Sequence, residues 1–173
     1  MDINTIGLRY LMISLCIFQI FLLWYSYGLR HLIQFFTIWT LWVTAINIAL
    51  SIKCSLDIKI EMKKSWLAWH HITFELAMPM NIITVVVYWS TIHAKRIREP
   101  DMVDPIRKFS VYFAHIMPIV VNWLNFYLTD VTIKAKHSIV VFPLGIIYTY
   151  INYRETKHRG RPIYPWATWE DVP

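Results

Sequence analysis

Three otherwise apolar stretches carry side chains able to donate, accept or move a proton. His71 and Glu75 stand four residues apart, a spacing that brings them together on one helix face. His115, Asn122, Asn125 and Thr129 follow at offsets of seven, ten and fourteen, one continuous polar stripe on a helix that Pro118 is expected to bend. Gln34, Thr37 and Thr44 share a third face, with Asn47 after them. A threonine hydroxyl becomes a nucleophile when a neutral imidazole within hydrogen-bond reach takes its proton. A His–Glu pair can carry a proton, orient a base or ligate a metal. The same residues also make ordinary polar clasps between helices, and threonines often bond back to their own backbone. A metal site needs three or four converging ligands. Nothing in the spacing of His71, Glu75 and His115 demands that, so no metal, haem or other cofactor is expected.

The elements that must position these groups are set by where charge is absent. The chain has 173 residues, 57% hydrophobic, with four glycines and a net charge of +6. Twenty uncharged residues separate Arg9 from Arg30, and twenty-two separate Arg30 from Lys53. From Ser65 to Ala94, histidines aside, the one ionisable group is Glu75. Phe109 to Thr129 has only His115, and His137 to Tyr153 adds seventeen more residues. A bilayer core takes roughly 20 apolar residues per helix. Five such runs in one short chain leave no polar face for a soluble bundle. The expectation is an all-α, polytopic membrane bundle of about five transmembrane helices over residues 1–153, followed by a polar Pro- and Trp-containing tail, 154–173.

Trp and Tyr gather at the ends of the runs: Trp24, Tyr25 and Tyr27; Trp66 and Trp69; Tyr88 and Trp89; Tyr148, Tyr150 and Tyr153. This is the pattern of interfacial belts. Cys16 and Cys54 form neither a disulfide framework nor a metal spacing. Asp2 stands where a signal peptide would carry positive charge, so the first run is read as a retained helix. Counting Lys and Arg on the two sides of five spans gives ten against seven, a small bias that puts the C-terminus on the positive side. The segment from Lys53 to Lys64 alternates apolar and charged residues, as an interfacial segment does. No basic aromatic groove is present, so nucleic acid is not an expected partner.

Several stretches resemble one family. HITFELAMPMNIITVVVYWSTIH, from His71 to His93, is similar to the third-helix signature of the rolling-stone, androgen-induced and androgen-dependent TFPI-regulating membrane proteins. HIMPIVVNWLNFYLTD, from His115 to Asp130, resembles that family's histidine-bearing helix, and His137 then opens the next one. YINYRETKHRGRPIYP looks like the final block, here ending on Tyr164-Pro165, and FTIW from Phe36 to Trp39 looks like the threonine-bearing segment. The resemblance runs from about Phe36 to Trp169.

The resemblance implies an intramembrane hydrolase of fatty acid esters of hydroxy fatty acids, with Thr37 as nucleophile and His115 as base. Asn122, on the face of His115, and Glu75, on the preceding helix, are the candidates for orienting the imidazole. The family usually has another hydrophobic segment after the Tyr-Pro block, which this chain does not show. That departure keeps a second reading open: a non-catalytic accessory subunit of a larger membrane complex, the mitochondrial inner membrane being one candidate host beside endomembranes and the plasma membrane. Membrane lipids are expected partners on either reading. On the second, other subunits would pack against the open side and the tail. A transporter using Glu75 and the histidines is a weaker third reading, because the spans show no repeat.

Overall fold

The structure, a computed structural model, describes residues 3–28, 32–56, 64–134, 139–164 and 167–170. Among these there is no strand, and five long helices carry the fold. They are α1 (Ile3–Tyr27), α2 (Phe36–Leu56), α3 (Lys64–Val87), α4 (Pro105–Tyr127) and α5 (Val141–Arg159). A π-helical turn, Tyr88–Ile92, and a last α-turn, His93–Arg96, continue α3 without interruption. The first, second and fourth helices and the extended third are long and apolar enough to cross a bilayer. The chain is therefore an all-α, multi-pass membrane bundle.

The last helix departs from the expectation. The apolar run pointed to a span from His137 to Tyr153, but α5 begins at Val141 and ends at Arg159. Its final turns carry Arg154, Glu155, Lys157, His158 and Arg159, and it is not among the helices apolar enough to span. The boundary drawn at residue 153 thus falls inside a helix. Lengthening a helix through charged residues satisfies backbone groups that would otherwise need partners, and hydropathy alone does not register that. His137, Pro165 and residues 57–63 of the alternating segment lie outside the described residues.

Local sequence explains the ends. Gly28, at φ +76°, takes the left-handed conformation just beyond α1, and its amide donates to the Trp24 carbonyl at 2.8 Å. Asp104 caps α4 by accepting from the Ile106 amide at 2.9 Å, with Pro105 in the first helical position. Gly160, also left-handed, ends α5. The α4 helix runs on through Pro118, which is buried.

Packing follows the helical period. The inner face of α1 is Arg9, Met12, Cys16, Gln19, Leu23 and Ser26, in alternating three- and four-residue steps. Met12, Cys16 and Leu23 pack with Leu41, Ala45 and Ile48 of α2 and with Ala114, Met117 and Val121 of α4. Ile17, Phe18, Phe21, Trp42, Ile46, Val86 and Val120 point outward, the surface that lipid tails would cover. The fifth helix touches the others sparingly, chiefly through Tyr148, whose ring meets Phe36 and Trp39 edge-on at 5.0 and 5.6 Å. The space between α5 and the remaining helices is where the site lies.

Candidate active site

One face of α2 presents a polar group at nearly every turn: Thr37, Thr40, Thr44, Asn47, Ser51 and Ser55. Steps of three and four residues keep them in line. Each reaches a different neighbour. Thr40 meets Thr84 of α3 at 2.9 Å. The amide of Asn81 donates to Thr44 Oγ1 at 2.9 Å. Asn47 reaches Asn122 of α4 at 3.5 Å. Ser51 Oγ lies 2.8 Å from His70 Nε2 and accepts from Asn125 at 3.0 Å. Hydrogen bonds of this kind between membrane helices contribute about 0.6 kcal/mol each on average. This is the polar clasp that the sequence allowed for, and it accounts for Thr44, Asn47, Asn81, Asn122 and Asn125.

Thr37, at the start of the row, is placed differently. Its Oγ1 is 3.1 Å from His115 Nε2. The other ring nitrogen, Nδ1, is 2.6 Å from the Val111 carbonyl, one turn earlier on α4. A carbonyl only accepts, so Nδ1 carries the hydrogen. In the neutral ring Nε2 is then the acceptor, and the Thr37 hydroxyl donates to it. Sequence spacing had put these residues on two different helices. The fold brings them into the geometry of a hydroxyl and its general base.

Tyr88 completes the setting of the imidazole. Its ring lies parallel to His115 with centroids 3.5 Å apart and planes 15° apart. Tyr88 begins the π-helical turn, a rare distortion that shifts side chains out of the regular helical register and is often found at functional sites. His93, at the end of that turn, places Nδ1 3.4 Å from the Tyr88 hydroxyl. The sequence had assigned Tyr88 to an interfacial belt. Instead it is 2% exposed and faces the base. Tyr148 was assigned to a belt too and also turns inward. Trp24, Trp66, Trp69 and Tyr150 remain outward-facing, as a belt requires.

Thr37 and His115 open onto one cavity of about 630 Å³, within the usual range of about 300–1,000 Å³ for a small-molecule site. Its walls come from the start of α2 (Phe36), the end of α3 (Ile83, Thr84, Val87, Tyr88), one face of α5 and the segment 167–170. Beside Thr37, the Phe36 amide donates to the Tyr148 and Tyr164 hydroxyls at 3.1 and 3.2 Å. Those hydroxyls are 2.9 Å apart. Burial pushes the Tyr164 phenol above its ordinary pKa, so it stays protonated and able to donate. No motif marks these tyrosines in the sequence. Only the packing of α5 against the head of α2 reveals them.

The two proposed orienting residues are not at the site. Glu75 Oε1 accepts from the Lys134 amide at 2.5 Å and lies 2.9 Å from His71 Nε2. It is thirteen residues before Tyr88, about 20 Å along the helix, and it fastens the segment after α4. Asn122 is bound to Asn47, about 10 Å along α4 from His115. Sharing a face did not bring it within reach, and a backbone carbonyl fixes the ring in its place. Among the described residues no three His, Cys, Asp or Glu side chains gather to hold a metal ion. No protein-family model, no curated protein and no solved structure matches this chain, so the residues themselves carry the functional reading.

The sequence also misplaced Arg9. Counted as a flanking loop charge, it lies within α1 and is 2% exposed. Its Nε donates to Asn125 Oδ1 at 3.2 Å. Nη1 donates to the Ser51 carbonyl at 3.3 Å and to Ser55 Oγ. Nη2 donates to the Leu128 carbonyl at 2.5 Å and to Thr129 Oγ1 at 2.9 Å. One guanidinium thereby ties together the ends of α1, α2 and α4.

Proposed function

We propose that this protein is an intramembrane hydrolase of lipid esters, with Thr37 as nucleophile and His115 as general base. The supporting observation is the Thr37–His115 contact, in the tautomer that makes the imidazole an acceptor, facing a cavity large enough for an acyl chain. The resemblance in the Phe36–Trp39 and His115–Asp130 stretches supports the same pair and suggests fatty acid esters of hydroxy fatty acids as the substrate class.

The chemistry runs in two halves. His115 Nε2 takes the Thr37 proton while Oγ1 attacks the ester carbonyl. The tetrahedral intermediate collapses to an acyl-threonine, and the alcohol departs with the proton held on Nε2. Water then attacks the acyl-threonine with His115 again as base, releasing the fatty acid and restoring the hydroxyl. The Tyr164 hydroxyl, which lines the cavity, is the group assigned to stabilise the oxyanion, while the Tyr148 hydroxyl donates to the Gln34 carbonyl at 3.0 Å. An ester substrate would enter sideways from the bilayer.

The test is release of free fatty acid from a branched fatty acid ester by protein reconstituted in liposomes. Wild type should release it and Thr37→Ala should not. A folded wild type that releases none from a panel of lipid esters would remove the hydrolase reading. The accessory-subunit reading would then stand in its place.

A further inference from the structure

One wall of the cavity is not used by the Thr37–His115 chemistry. Ala167, Thr168, Trp169 and Glu170 line the same space. This short segment is fastened at both ends. On one side the Ala167 amide donates to the Tyr164 carbonyl at 3.1 Å, and the Tyr164 hydroxyl is bound at the head of α2. On the other, the Trp169 indole donates to Asn152 Oδ1 at 2.8 Å, and its ring stands edge-on to Tyr153 at 5.9 Å.

The backbone is strained where the indole enters. Trp169 has φ +56°, the one left-handed non-glycine residue among those described. A bulky side chain disfavours that conformation, which persists only where its surroundings hold it. Asn152 is part of that hold. It is 3% exposed, and its Oδ1 takes the indole hydrogen, so without Trp169 that buried carbonyl would lose its donor.

The position of Trp169 gives the strain a purpose. Gly145, Tyr148, Thr149 and Asn152 line the cavity along one face of α5, a row about 10 Å long. At Gly145 a side chain would meet nothing within 4 Å, so the space is open there. At the other end of the row the indole lines the same cavity, held against Asn152.

We propose that Trp169 is the specificity wall of this cavity, limiting the length of the single acyl chain that the site accepts. The proposal rests on reading the cavity as an acyl-ester site. The contact with Asn152 and the strained backbone keep the indole in the path that a longer chain would take.

The experiment compares kcat/KM for p-nitrophenyl esters from butyrate to palmitate, using the reconstituted full chain and the variants Trp169→Ala, Trp169→Gly and Trp169→Phe. Adding or removing a methylene-sized volume in an apolar pocket changes discrimination by about tenfold or more. The Ala and Gly variants should raise the long-to-short ratio by at least about that factor, and Phe, which keeps a ring but loses the N–H that holds Asn152, should raise it less. Glycine also relieves the left-handed backbone, so it remains the usable truncation if Ala fails to fold. A parallel series measures displacement of a pyrene-labelled fatty acid by free acids of the same lengths, in the Thr37→Ala background with and without Trp169→Gly. A shift in that binding profile without any wild-type hydrolysis would remove the hydrolase reading and retain the wall. Hydrolysis with an unchanged length profile in both truncations would overturn the wall and retain the hydrolase. Absence of both hydrolysis and acyl binding would overturn both.

Discussion

At the Arg9 end of α2, every described donor direction of the guanidinium meets an acceptor, and three helix ends are tied together. At the Thr37 end, fourteen residues earlier than Ser51 and about 21 Å away along the axis, the polar groups face open space. Both ends belong to the same row of hydroxyls and amides, and both hold a histidine: His70 against Ser51 at 2.8 Å, and His115 against Thr37 at 3.1 Å. What separates them is the surroundings. Ser51 is also bound to Asn125 and to the Asn47 carbonyl and is 1% exposed, so the smaller cavity that His70 lines does not include the Ser51 hydroxyl. Thr37 has one base, an aromatic support behind that base, and a cavity in front. A serine or threonine beside a histidine is thus not a site in itself, and access decides.

This contrast can be broken first at the cavity. His115→Gln removes the general base and should lower hydrolysis by about 10²–10⁴-fold, while circular dichroism and the thermal melt stay near wild type. His70→Gln should leave hydrolysis within a few-fold. Comparable losses in the two variants would erase the distinction between the ends.

The Arg9 end should respond in stability instead. Arg9→Ala leaves several buried acceptors without donors and should destabilise by about 1–3 kcal/mol. At this chain length that is a drop of about 2–4 °C in Tm for each kcal/mol, read by tryptophan fluorescence in detergent. Arg9→Lys should recover only part, because a point charge cannot reach all the acceptors of a planar fork. Residual hydrolysis per folded molecule should be retained in both.

The smallest effect is outside the spans. Asp101 accepts from Arg96 at 2.5 and 2.7 Å, and this hydrogen bond holds its carboxyl below the ordinary aspartate pKa. A depressed folded-state pKa adds stability above the unfolded value and loses it as pH falls through the folded one. Lowering the pH from neutral through the aspartate range should therefore reduce Tm more in wild type than in Asp101→Asn. The difference should be small because the group is partly exposed.

Much of this architecture was legible in the sequence, for reasons that also set the limit. Uninterrupted apolar runs are long-range and additive, so the first four helices followed from charge spacing. Interior polar groups are rare enough to be noticed singly, so Thr37, Glu75, His115 and Asn122 could all be marked. Which of them meet was a different matter. Asn122 shares a stripe with His115 yet bonds Asn47, because one heptad on a helix is a large distance. Glu75 and Arg9 answer to backbone groups of the segment after α4, and no spacing rule connects those. Tyr88 and Tyr148 looked like interfacial aromatics, and Trp169 like part of a polar tail, because composition does not reveal which way a ring turns. A π-helical turn redirects the first, and a strained backbone redirects the last.

The most direct test of the central claim is covalent labelling of native membranes with an alkyl fluorophosphonate, followed by mass mapping of the adduct. The account expects one phosphonyl adduct, on Thr37, absent from both Thr37→Ala and His115→Gln. An adduct on another residue that survives these substitutions, or none on a well-folded wild type, would contradict it.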